Sequence, residues 1–216
     1  ITAVGTVMLP RMSNLMQNDK EQEAKEYIRK SIKLILLIAF PMTAGIMVIG
    51  EKFAPIYFGA EFAETGILMK YLSVTIIFIA FANVLRTQYL IPKEKDKVYI
   101  ISVSIGAVMN MVTNCILIPK YNAMGAVVGT ILAEFSVMFV QSIAVWKELK
   151  LSQYIGTFIK YFLCALIMYI LIYPLKYLID NDLCCIIIQM VFGVLIYGLL
   201  TFKDVIKVIK FRKGEE

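Results

Sequence analysis

The strongest constraint on this chain is a run of six long apolar segments separated by short polar breaks, at about Leu34–Ile49, Ile67–Leu90, Val98–Ile118, Ala123–Trp146, Thr157–Leu178 and Leu183–Phe202. A helix rises ~1.5 Å per residue, so about 20 apolar residues cross a ~30 Å hydrocarbon layer. None of the segments alternates polar and apolar residues over about ten positions, as an outer-membrane barrel strand would. Composition agrees: 60% of the 216 residues are hydrophobic and 18% charged, against ~45–50% and ~25% in ordinary soluble domains. The expected fold class is all-α, a polytopic transmembrane helical bundle with six complete spans.

Ile1–Leu9 is a further apolar run, followed by Pro10 and Arg11. It reads as the end of a preceding helix, and the chain as a fragment whose upstream part is missing; no charged n-region with a small-residue cleavage site marks a signal peptide. Basic residues sort by side. Eighteen of the 22 lie around residues 11–33, 86–97 and 147–160 and in the tail from Lys203, which alternate breaks place on one face; Lys52, Lys70, Lys120 and Lys176 fall on the other. The positive-inside rule makes the eighteen cytoplasmic, so the C-terminus is expected inside. The net charge of +6 therefore records orientation and not a nucleic-acid partner. Residues 17–33, with Asn18 ahead of Glu21 and the i,i+4 pairs Glu21/Lys25 and Glu26/Lys30, predict a capped amphipathic connector. Residues 203–216, with Val205, Val208 and Ile209 beside lysines, predict a basic tail on anionic lipid.

The sequence has no histidine, which removes Ser-His-Asp and Cys-His catalysis and His-ligated metal sites. Cys115, Cys164, Cys184 and Cys185 lie in apolar runs without CxxC spacing and read as small buried hydrophobes. We expect no metal, no cofactor and no enzyme.

Candidate functional residues are the polar groups at membrane depth, where an ionisable side chain costs about 2.5–3.5 kcal/mol and must face a cavity or a partner. Glu134, mid-way along the fourth segment, is either a coupling site or a structural partner for a neighbouring helix. Arg86, toward the cytoplasmic end of the second, can hold a phosphate bidentately or snorkel to headgroups. Asn83 and Gln88 accompany it. Asn110 and Asn114 share one face of the third segment at i,i+4, as Glu134 and Gln141 share one at i,i+7; such amides line a cavity or glue helices together. Gly125 and Gly129 permit close helix approach. Pro41 with Gly45, and Pro174, mark expected bends.

The strings MLPRMSNLM at 8–16, IYFGAEF at 56–62 and NCILIPKYNAMGAVVGTILAE at 114–134, in that order and spacing, resemble the C-terminal half of bacterial polysaccharide flippases. These are the O-antigen and capsule repeat-unit translocators of the superfamily that includes MATE drug exporters and lipid II flippases. Asn122 departs from the pattern, in a turn where glycine is expected. The resemblance implies that residues 1–16 end a truncated transmembrane helix, 17–33 connect it, 34–146 supply four spans of the C-terminal transporter lobe, 147–202 two additional spans, and 203–216 a cytoplasmic tail. It implies a multi-pass protein of the bacterial cytoplasmic membrane that moves polyprenyl-diphosphate-linked oligosaccharide to the outer leaflet together with the missing N-terminal lobe, with a proton or sodium gradient as the expected drive. Arg86 is then the diphosphate candidate; Asn83, Asn110, Asn114 and Lys70 are substrate candidates; Glu134 is a coupling or structural acid. The rival readings are a MATE-like drug exporter, a lipid II-type flippase, and a membrane-embedded glycosyltransferase or polymerase. The last is disfavoured by short loops that lack paired carboxylates.

Overall fold

The computed structural model describes the backbone of residues 2–213 and the side chains of residues 8–207. Helices α1 (Thr2–Gln17), α2 (Glu21–Phe58), α3 (Ala63–Leu72), α4 (Thr75–Leu85), α5 (Asp96–Val145), α6 (Ile155–Ile172), α7 (Asp182–Leu200) and α8 (Phe202–Lys213) follow one another with no strand among the described residues. Short 3-10 turns cover Ala60–Phe62, Leu151–Tyr154 and Tyr173–Tyr177, and a π-helical turn covers Arg86–Leu90. The α-helical class and the multi-pass character stand. The expected lipid-facing stripe of α8 involves Val208 and Ile209, whose side chains lie outside the described residues.

Two local expectations need correction. Asn18 does not cap the next helix: its amide donates back to the Asn14 carbonyl at 2.9 Å, and Asp19 takes a positive φ of 57°, so the chain turns there and α2 starts at Glu21. The connector and the first span are accordingly one 38-residue helix, with Pro41 and Pro55 inside it. A proline withholds the hydrogen bond to the carbonyl four residues earlier, which for Pro41 is that of Leu37.

Among the described residues four helices are long and apolar enough to cross a membrane, and five when α3 and α4, broken at Ser73–Val74, count as one span. The 50-residue α5 is itself two helices. Asn122, with φ 49° and ψ −129°, breaks it, and the halves fold back on each other as an antiparallel hairpin. A Cβ on Gly125 would stand 2.5 Å from the Leu117 carbonyl, one on Gly106 the same distance from Val137 Cγ2, and one on Gly129 would overlap Asn114 Oδ1. Further down the pair, Gln141 Nε2 donates to Ser102 Oγ at 3.0 Å. Glycines thus stand at the tightest contacts of the hairpin, because in hydrocarbon the attraction is close packing and not burial from water. Each of the six apolar segments has its own helical segment.

The chain divides into two compact units, residues 1–36 with 74–156, and residues 37–73 with 157–216. The first boundary falls at Leu37, four residues before Pro41. In unit 1, α1 and α4 pack around the π-helical turn, with Met12, Ile28, Ile32, Leu85, Tyr89 and Leu90 fully buried. In unit 2, Ala39, Phe40, Ile172 and Cys185 are buried, and Phe40 meets Phe158 edge to face at 4.9 Å. Both units turn long aliphatic side chains outward, Met111, Ile116, Val194 and Leu199 among them, as lipid-facing helices do. Cysteines follow the same logic. Only Cys185 is buried, whereas Cys115 and Cys184 are exposed and Cys164 half-buried, so the expectation of four buried thiols fails because an apolar run in a membrane helix has an outer side.

Candidate functional site

The hairpin of α5 builds a polar cavity in unit 1. It is an open groove of about 620 Å³, lined by Asn110, Asn114, Glu134, Gly106 and aliphatic groups, with the exposed Met111 and Cys115 along its outer side. The geometry follows from the close contacts: the glycines bring the two halves together, so Asn110 and Asn114 on one helix face Glu134 on the other. Asn114 Nδ2 donates to Asn110 Oδ1 at 2.6 Å, which aligns the two amides along the wall. The Asn114 carbonyl oxygen remains buried without a protein partner. Glu134 is half-buried. The arrangement offers an acceptor-rich, hydrogen-bonding wall at membrane depth, suited to hydroxyl and amide donors or to a cation.

The other sequence candidates sit elsewhere. Gln141 is buried and spends its amide on Ser102, so it glues the hairpin and does not line the cavity. Asn83 is buried, with its carbonyl accepting from Thr87 Oγ1 at 2.7 Å. Arg86 begins the π-helical turn, and its guanidinium lies 5.5 Å from the centre of the Tyr99 ring. Neither Asn83 nor Arg86 lines the cavity. Gln88, in the same turn, is wholly buried and neither amide atom has a protein partner; π-helical turns of this kind often accompany functional positions. Lys70 belongs to unit 2, where it pairs with Glu51 at 2.9 Å.

Opposite charges that the sequence left unmatched close one end of unit 1. Glu21 pairs with Lys93 at 2.6 Å and with Lys25 at 2.9 Å. Glu148, in the loop after α5, accepts from Lys95 at 2.7 Å and from the Tyr89 hydroxyl. Burial alone raises the Glu148 carboxyl, but the bonds from Lys95 and Tyr89 outweigh it and hold the group below the usual carboxylate range. The Glu21–Lys25 pair follows from its i,i+4 spacing, but no local spacing reveals the others, since they join residues 53 to 72 positions apart; charge at the ends of neighbouring spans was the only available signal. Among the described residues there is no cluster of acidic, cysteine or histidine side chains that could hold a metal ion.

Unit 2 carries a second hollow of about 590 Å³, lined by Leu37, Pro41, Met42, Gly45, Met168, Tyr197 and other chiefly apolar groups of α2, α6 and α7. Its main polar members face the backbone: Gln189 donates to the Ile172 carbonyl at 3.3 Å and Thr201 to that of Tyr197 at 2.7 Å.

Comparison with known proteins decides the lineage. The profile described as lipid II flippase MurJ matches residues 1–197. The chain belongs to the lipid II flippase MurJ family. Within and around it, the chain is 26% identical to the probable low-salt glycan biosynthesis flippase Agl15 of Haloferax volcanii, over 92% of this chain and 42% of that protein. It is 25% identical to the capsular polysaccharide biosynthesis protein CapF of Staphylococcus aureus over 62% of the chain and 33% of the relative. The lipid II flippase MurJ of Bacillus subtilis is 27% identical over 61% of the chain and 24% of that protein. A solved structure of the lipid II flippase MurJ in an inward closed conformation superposes with a TM-score of 0.79 at 19% identity, covering 94% of this chain and 43% of the other; the two share a fold. The chain thus spans less than half the length of these MurJ-like relatives. A capsular polysaccharide biosynthesis protein and a probable glycan biosynthesis flippase stand among them, in keeping with the resemblance of the sequence strings.

Proposed function

We propose that the protein serves as part of a flippase for lipid-linked oligosaccharide, carrying a polyprenyl-diphosphate sugar unit from the cytoplasmic to the outer leaflet of the cell membrane during surface polysaccharide synthesis. The observation that carries this reading is the groove on the α5 hairpin that gathers Asn110, Asn114 and Glu134 among otherwise aliphatic surfaces. A hydroxylated, anionic headgroup leaving water without hydrogen-bond partners would lose several kcal/mol per group. Amide and carboxylate groups at membrane depth supply such partners, while a prenyl chain stays in lipid. Hydrogen-bonding a passing headgroup is the chemistry this wall supports.

Within this reading Arg86 supplies positive charge for the diphosphate at the cytoplasmic entry, Asn83 supports the turn that carries it, and Glu134 couples movement to a proton or sodium gradient. The excess of basic residues on one face of the spans supports a cytoplasmic C-terminus within this reading. The upstream lobe of the same protein completes the path. A lipid II-type cargo is the second reading, favoured by the family profile. Exchange of Arg86 for alanine in the intact protein should abolish surface polysaccharide without lowering its membrane level, and normal display would remove Arg86 from the path. Depleting the protein distinguishes the cargoes: accumulated repeat-unit lipid supports the first reading, accumulated lipid II the second.

A further inference from the structure

The strongest unassigned feature is a charged cluster at one end of unit 2. Helices α2 and α3 touch backbone to backbone there, because Gly50 and Gly66 face each other: a Cβ on Gly66 would stand 2.5 Å from the Gly50 carbonyl oxygen. That contact fixes the residues beside it. Glu51 follows Gly50, and Lys70 lies one turn beyond Gly66, so their ion pair at 2.9 Å is set by main-chain packing. From the end of α6, Lys176 reaches the other oxygen of the same carboxylate at 3.4 Å and donates to the Tyr173 hydroxyl at 2.7 Å. Its ammonium lies 4.2 Å from the centre of the Tyr173 ring and 4.9 Å from that of Tyr177. Two ammonium groups therefore share one carboxylate. Lys52 does not alter the balance, since Asp182 neutralises it at 2.9 Å.

Both lysine side chains are largely enclosed, 23% exposed at Lys70 and 17% at Lys176, which is unlike the free, solvated lysine of an ordinary surface. An uncompensated ammonium held this way is favourable where an anion completes it. The surroundings say at what depth. Phe53 stacks on Tyr57, Tyr57 meets Phe58 edge to face, and Tyr169 stacks on Tyr173; Tyr57 and Tyr177 are largely exposed. A collar of tyrosine and phenylalanine at the ends of spans marks the headgroup level of a bilayer. The anion available at that level is phosphate on lipid.

We infer that Lys70 and Lys176, held apart from full neutralisation by their single shared Glu51, form a binding site for the phosphate group of a lipid at the membrane interface. The tyrosines flank the headgroup, and the lipid's chains lie along the aliphatic surface of unit 2. The site shares no residue with the polar cavity, and its occupancy does not depend on which cargo the protein moves.

The test follows the thermal midpoint of the purified protein in neutral detergent while short-chain phosphatidylglycerol, farnesyl diphosphate or inorganic phosphate is added. Either lipid should raise the midpoint saturably at concentrations where inorganic phosphate does little. Stronger action by farnesyl diphosphate identifies a carrier-lipid diphosphate as the natural occupant; equal or stronger action by phosphatidylglycerol identifies bulk phospholipid. Lys176→Gln should raise the half-saturating concentration by about tenfold, the loss of one charge-assisted bond, and Lys176→Arg should retain binding. Glu51→Gln separates a site from a structural ion pair, because removing the competing carboxylate should tighten lipid binding even though it breaks two salt bridges. The inference is overturned if neither lipid shifts the wild-type midpoint, if inorganic phosphate acts as well as the lipids, or if Glu51→Gln leaves binding unchanged or weaker.

Discussion

The two units hold hollows of nearly equal size, about 620 Å³ in unit 1 and 590 Å³ in unit 2, yet their walls differ in kind. In unit 1 two amides and a carboxylate line the cavity, and one amide oxygen is left without a partner. In unit 2 Gln189 Nε2 and Thr201 Oγ1 donate to helix carbonyls, Gln189 Oε1 and the Tyr197 hydroxyl stay buried without a partner, and hydrocarbon is the main lining. The difference lies in how polar groups in a membrane are satisfied. Where a side chain can reach the backbone of its own or the adjacent helix it closes on it, and the surface becomes apolar. Where close glycine contacts bring two helix faces together, the amides of one helix and the carboxylate of the other come to share a single wall.

Function should break this comparison most sharply. Glu134→Gln in unit 1 is expected to reduce surface glycan export more than tenfold, the scale of a lost charge-assisted interaction, while Gln189→Met in unit 2 leaves export near wild type. Export assays normalised to membrane protein level decide it, and equal effects of the two would end the assignment of polar work to unit 1.

A matched pair of glycines sharpens the packing difference. Gly125→Ala places a methyl 2.5 Å from the Leu117 main chain and should destabilise by about 1–3 kcal/mol, since backbone cannot yield as a side chain can. Gly45→Ala points into the unit 2 hollow, with nothing within 4 Å, and should stabilise by roughly 0.5–1 kcal/mol through helix propensity alone. Thermal melts of the two variants should move in opposite directions.

The turn of the hairpin predicts a smaller gain. Asn122 adopts φ 49°, a conformation that costs a residue with a Cβ but not glycine. Asn122→Gly should therefore raise stability by about 0.4–1 kcal/mol, to be measured by the same melts; a lower midpoint would mean that the asparagine side chain itself supports the turn.

The smallest expected effect concerns pH. Glu148 is held below its ordinary range in the folded protein, so its contribution is present above the unfolded carboxylate value of about 4.3 and is lost as pH falls through the lower folded value. Melts between neutral and strongly acidic pH should show that loss in the wild type and a shallower acid limb in Glu148→Gln.

Much of the fold was legible because hydrocarbon imposes a simple rule: every span must be a long apolar helix that satisfies its own backbone. Even the unusual turn was visible as Asn122 standing where glycine is expected. The site was legible only in part. Asn110, Asn114 and Glu134 were marked by their depth and helical spacing, and they do meet. Gln141 carried the same marks but closes on Ser102, and i,i+7 spacing with Glu134 could not reveal which way a neighbouring helix would supply a partner. Lys70 looked like an isolated cation because Glu51 and Lys176 are 19 and 106 positions from it. The single 38-residue helix from Glu21 was hidden by the polar character of its first turns, which resembled a separate element.

What the sequence determined alone is the solvent and the helical class, since apolar length depends on no contact between helices. Tertiary structure decided which polar groups remain open. A polar side chain in a membrane is either closed on a neighbour or available to a ligand, and that choice depends on the close approach of Gly125, Gly129, Gly50 and Gly66 to partners distant in sequence or across a turn.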